Sequence, residues 1–186
     1  LLVSTGPAFR LYVSPLNISP EKPALPIAWP AAFSAYLAKR HGLFATLGLA
    51  EDTWALTGGA IGEEAFLRQA CDIHAEREAM LFNALRLTRR GLCCCVFDLA
   101  DRIQHTFLRP DPPRDAPASE GDPTRGTVPR SPSPVPDPVD DAYARCDALV
   151  GRLLPRLGRR DLLLVLSDHG FTAFTRCVNV NAWLRE

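Results

Sequence analysis

Neither sign of charge predominates in this sequence. Its 21 Lys and Arg balance 21 Asp and Glu, so the composition argues for neither a nucleic-acid-binding face nor an anionic-membrane surface. No apolar run approaches the roughly 20 residues that span a bilayer, and no signal peptide is visible. The six cysteines, at 71, 93, 94, 95, 146 and 177, form no CxxC pair. They therefore suggest no disulfide framework or thiolate metal site, and read as small buried hydrophobes in a reducing cytosol. Histidine is also scarce, with only His41, His74, His105 and His169.

What is present is apolar mass. The chain has 186 residues, 47% of them hydrophobic, which suits one domain or a large part of one. It starts at Leu1 and ends at Glu186 inside a helical pattern, so it reads as part of a longer protein. Residues 10–13 are a short strand candidate, and 15–30 carry five prolines and should be irregular. A short helix is predicted over 31–40, with Gly42 as its stop. Residues 42–62 read as loop and hold Glu51, Asp52 and Trp54; a polar loop with one aromatic can touch substrate, but a packed loop anchor is the favoured reading. The longest helix is predicted over 63–90, where Phe66, Ala70, Ile73, Leu81 and Ala84 trace one stripe interrupted by Arg77. His74 lies near that stripe and, like His41, reads as structural.

Ten of the seventeen prolines fall within 110–138, among Asp, Ser, Arg and Gly. That stretch has too few large apolar residues to offset the entropy of ordering. It is expected to be a disordered insert, 110–139, within the larger domain. An amphipathic helix should follow over 140–158, with Pro155 shortening its last turn.

Two stretches carry the chemistry. Residues 161–171 read DLLLVLSDHGF, and 91–105 read GLCCCVFDLADRIQH. In each, an unbroken apolar run of the kind found in strands buried on both faces gives way to Asp and His. Ligands of open α/β sheets bind beyond the carboxyl ends of the strands. Taken alone, 167–170 is equally a polar turn. Asp101 and His105 are four apart, about one helical turn, so a helix puts both on one face, where they can chelate a divalent ion. The bland alternative is a solvated i,i+4 pair. The helix over 140–158 would join the two apolar strands in a right-handed β-α-β crossover.

These residues together resemble the alkaline phosphatase superfamily, in particular its phosphodiesterase/nucleotide pyrophosphatase-like and predicted phosphohydrolase-or-phosphomutase branches. The matching pieces are FDLADRIQH (97–105), SDHGF (167–171) and VNVNAWL (178–184), with LYVSPLNISPEKPALPIAWP (11–30), TLGLAEDTWAL (46–56) and EREAM (76–80) upstream. The resemblance implies an α/β fold: part of a doubly wound, mostly parallel sheet with helices on both faces. It also implies two divalent ions, Asp101 and His105 holding one, Asp168 and His169 the other. The four are expected to converge at one edge of the sheet. Mixed Asp/His ligation suits Zn²⁺ or Mn²⁺ better than Mg²⁺ or Ca²⁺.

The superfamily's Thr or Ser nucleophile and a further metal Asp, expected N-terminal to the DxxxH segment, have no match here. Nor does a last metal His, expected beyond SDHG. They are expected before Leu1 and after Glu186, so this piece alone is expected to be inactive. The expected function of the whole protein is metal-dependent hydrolysis of a small phosphorylated substrate: a phosphodiester, nucleotide pyrophosphate or phosphomonoester. A phosphomutase on the same two ions is the alternative, and a metal-free binding or scaffold relative is another. A sulfatase fits less well, for want of its modified Cys or Ser.

Overall fold

The computed structural model describes residues 2–4, 9–48, 50–108, 137–172 and 178–185. These fall into two compact units, Leu1–Thr106 and Phe107–Glu186.

In the first unit, β1 (Leu2–Ser4) and β2 (Arg10–Leu11) form a two-stranded antiparallel ladder with Leu2 opposite Leu11. The proline-spaced residues 12–30 that follow take neither helix nor strand. They are tied down at one point: Thr46 N donates to Asn17 Oδ1 at 2.7 Å, and Ile18 N donates to Thr46 Oγ1 at 2.8 Å. Helix α1 (Ala32–His41) ends at Gly42, whose φ of 87° lies in the region that favours glycine. Inside the expected loop is a short helix, α2 (Thr53–Thr57), started by Asp52, whose side chain accepts from Ala55 N.

Helix α3 (Glu63–Leu87) is the spine of this unit. Glu63 and Glu64 in its first turn and Arg86 in its last complement the helix dipole. The stripe read from sequence is its buried face: Phe66 and Ala70 are wholly buried, and Ile73 and Leu81 nearly so. The interrupting Arg77 is half-buried and paired with Asp98. Tyr36 on α1 donates to Asn83 on α3 at 3.1 Å, fastening the two helices. Helix α4 (Leu99–Phe107) inserts Leu99, Ile103 and Phe107, spaced at i, i+4 and i+8 along one face.

In the second unit, α5 (Pro138–Leu153) opens with Asp137 accepting from Val139 N and Pro138 in the first turn. Ala142, Leu149 and Leu153 are its buried residues. A 3₁₀ turn, Leu154–Arg156, carries Pro155, which has no N–H for a further helical bond. A last short helix, α6 (Val180–Trp183), is capped by Asn179. The proline-rich insert expected over 110–139 lies outside the described residues up to position 136; its last residues belong to α5 and its cap.

The expected doubly wound parallel sheet is not found. The structure is helical, and β1–β2 is the only sheet among the described residues. Residues 92–97 and 161–166 belong to no strand. Leu92 is 89% exposed, and Leu162 and Leu166 are 80% and 85% exposed. The physical reason is that an apolar run becomes a buried strand only when neighbouring strands accept and donate its ladder bonds. No described segment does so for either run. The thiols change status accordingly: Cys94 and Cys95 are exposed and Cys93 is half-buried, instead of facing a core.

Candidate functional site

The local fold that matters most is the start of α4. Asp98 precedes the helix, and its backbone oxygen accepts from Arg102 N at 2.9 Å. Its carboxylate pairs with Arg77 of α3, which fixes the N-terminal end of α4 to the spine of its unit. With Leu99, Ile103 and Phe107 committed to the interior, helical spacing leaves Asp101 and His105 together on the flank. Asp101 Oδ1 lies 3.4 Å from His105 Nε2, with side-chain exposures of 30% and 57%. Asp101 Oδ2 lies 3.3 Å from Arg102 Nη1.

That spacing suits a shared ion. Two donors bound to one tetrahedral ion through bonds of about 2.1 Å sit roughly 3.4 Å apart. A carboxylate oxygen and an imidazole nitrogen, both reachable from solvent, are also the donor types that Zn²⁺ accepts. Their donor types and spacing suit a divalent cation and a solvated i,i+4 pair alike.

Asp168 and His169 lie in the second unit, in an exposed bend and not at a sheet edge. His169 Nε2 is 3.7 Å from Asp168 Oδ2, with side-chain exposures of 51% and 89%. The bend is shaped locally. His169 N donates to Asp168 Oδ1 at 3.1 Å, and Ser167 Oγ donates to the His169 carbonyl. The Phe171 ring meets the imidazole edge-on, its centroid 5.3 Å away. Each Asp/His pair is thus formed by itself, and no set of three or more metal-ligating side chains is gathered among the described residues.

Nothing in the sequence marks Glu51 or Arg102 as a metal-ligating or catalytic residue. Glu51 is buried just before α2, and its Oε2 lies 3.8 Å from Arg102 Nε. The loop-anchor reading of 42–62 holds for Glu51 and Asp52 but not for Trp54, which is 86% exposed. A charged residue buried beside an aromatic left in water is the reverse of what hydropathy suggests.

Also in the first unit is an open cleft of about 810 Å³ between residues 12–20, residues 43–45 and one face of α3. Glu64, Arg68, Asp72 and Glu76 line it at i,i+4 steps, and none of the four expected metal ligands does. Burial pushes the Glu76 carboxyl up, partly offset by the hydrogen bond it accepts from Ala45 N at 2.8 Å. At the rim, Tyr12 donates to Asp52 Oδ2 at 2.7 Å. Burial, and then that hydrogen bond, raise the phenol above its ordinary range.

The family model described as type I phosphodiesterase / nucleotide pyrophosphatase matches residues 40–186, well over half of the chain. The chain belongs to this family. No curated protein and no solved structure matches it. Membership in the type I phosphodiesterase family places the chain among hydrolases of phosphoesters, and the matched segment contains all four expected ligands. Among the described residues, no helix of this phosphodiesterase-family chain is long and apolar enough to cross a membrane.

Proposed function

We propose that this chain supplies ligands to a two-ion phosphoester hydrolase, with Asp101 and His105 serving one divalent ion and Asp168 and His169 the other. The observation that carries the reading is the 3.4 Å approach of Asp101 Oδ1 to His105 Nε2 on α4, inside the segment that the family model matches. Zn²⁺ or Mn²⁺ suits the mixed oxygen and nitrogen donors. When bound, such ions supply Lewis-acid stabilisation of charge on the phosphoryl oxygens and lower the pKa of the nucleophile.

The chain's own residues prepare that chemistry. Burial of Leu99, Ile103 and Phe107 fixes the rotation of α4, so that Asp101 and His105 face the same way. The Arg77–Asp98 pair fixes the start of the helix. The local bonds around 167–169 hold the second imidazole next to its carboxylate. No residue of the chain is assigned the role of nucleophile. The substrate is a small phosphorylated molecule, and the cysteine usage, six residues with no CxxC pair, fits the cytosol.

The test is a panel of phosphodiester, phosphomonoester and sulfate esters on the whole protein, stripped of metal and then reloaded with Zn²⁺ or Mn²⁺. Metal-dependent turnover of a phosphoester supports the reading. Turnover of sulfate esters alone would overturn it. So would full activity and full metal content in both Asp168→Ala and His105→Ala.

A further inference from the structure

The carboxylate of Glu51 is only 1% exposed. A carboxylate so far removed from water needs a cation, and Arg102 of α4 provides one. Its Nε is 3.8 Å from Glu51 Oε2, while its Nη1 is 3.3 Å from Asp101 Oδ2. One guanidinium thus lies between a buried acid and an expected metal ligand. Among the described residues, Glu51 Oε2 accepts no hydrogen bond and Arg102 Nε donates none. Charge therefore holds this contact, not a hydrogen-bonded fork.

Glu51 is itself fixed by its neighbour. Asp52 accepts from Ala55 N at 2.9 Å and from Tyr12 Oη at 2.7 Å, and its own N–H donates to Gln69 Oε1 at 2.8 Å. The acid that faces Arg102 is thereby anchored to α2, to α3 and to the segment after β2. The two oxygens of Asp101 consequently have different neighbours. Oδ2 faces a fixed cation, and Oδ1 faces His105 Nε2.

We propose that Glu51 is a positioning residue for the Asp101–His105 pair: by holding Arg102 against Asp101 Oδ2, it presents Asp101 to a divalent cation through Oδ1 alone. The proposal rests on the two-ion reading above. One-oxygen ligation suits small ions such as Zn²⁺, whereas Ca²⁺ sites use two-oxygen carboxylates readily.

The test is a double-mutant cycle on the whole protein, stripped of metal and titrated with Zn²⁺ by calorimetry. The variants are Asp101→Asn, Glu51→Gln and the double, with a thermal melt of each metal-free form as the check on folding. Glu51→Gln is expected to weaken Zn²⁺ binding by on the order of tenfold or more, as loss of a group that orients a ligand does. In the Asp101→Asn background it should add little. A purely structural Glu51 would instead add its full effect there, and that result overturns the proposal. So does unchanged Zn²⁺ affinity in a folded Glu51→Gln protein. If Asp101→Asn itself binds Zn²⁺ like wild type, the two-ion reading falls, and this proposal with it. Should Glu51→Gln not fold, Arg102→Lys takes its place in the same cycle, because it keeps the charge but has one head for two carboxylates.

Discussion

His105 and His74 each stand beside a carboxylate four residues away, but in different surroundings. His74 is 5% exposed, with Nε2 3.2 Å from Glu78 Oε1 and the Phe97 ring 5.1 Å away. His105 is 57% exposed and faces solvent beside Asp101. On the proposed two-ion site, His105→Ala is expected to lower phosphoester turnover by at least about a hundredfold, since losing one ion forfeits several kcal/mol of transition-state stabilisation. Metal analysis and turnover check it. His74→Ala should keep turnover and instead lower stability by about 1–3 kcal/mol, the cost of leaving a buried polar partner unsatisfied. Equal damage from both, in folded proteins, would refute the choice of ligands. Glu76 is a different case, because its carboxyl is raised, chiefly by burial. The folded chain then holds that proton more tightly than the unfolded chain. The stability that this group contributes is greatest below the ordinary carboxylate value and is lost as pH rises from there through the folded-state value. Glu76→Gln keeps an oxygen for Ala45 N and removes the ionisation. From about pH 4 to 7, the thermal midpoint of the wild type should therefore drop relative to that of this variant.

Among the elements, α3 concentrates the packing of the first unit. Phe66 is wholly buried near its N-terminal end, so Phe66→Ala is expected to destabilise that unit by about 3–5 kcal/mol, measured by denaturant titration. That helix was legible in sequence because its signal is local: Phe66, Ala70, Ile73 and Leu81 repeat at the helical period. The same holds for the Asp101–His105 pair, which needs only one turn of helix to form. The runs at 92–97 and 161–166 have strand-like composition too, but a strand is made by its neighbours, and composition cannot supply them. Asp168 and His169 are neighbours in the sequence itself, whereas the expected sheet edge around them went with the sheet. Glu51 and Arg102 were illegible for a related reason. Their partnership joins a turn before α2 to a distant helix, and hydropathy treats both residues as surface. The one available hint was Asp52, a helix-capping residue that pins whatever precedes it.

At the scale of the whole molecule, the proline-rich stretch separates α4 from α5 in sequence. Its composition offers little to bury, so replacing residues 111–135 with a Gly/Ser linker of equal length is expected to shift the thermal midpoint by less than about 2 °C. The replacement spares Asp137, which caps α5. A larger loss in calorimetry would mean that the stretch contributes packing that its composition conceals. The apolar run at 161–166 bears on how the protein behaves in the tube and in the cell. Leu162, Leu164, Val165 and Leu166 are 66–85% exposed, in a segment that belongs to no strand. A short, uncharged, β-prone segment with open backbone groups is a template on which identical segments stack into fibrils. The same five-residue LLLVL core that sequence reading assigned to the interior is thus the expected nucleus of aggregation at high concentration. Leu164→Lys places a gatekeeper charge at its centre, and should lengthen the lag before thioflavin fluorescence rises in a shaken sample.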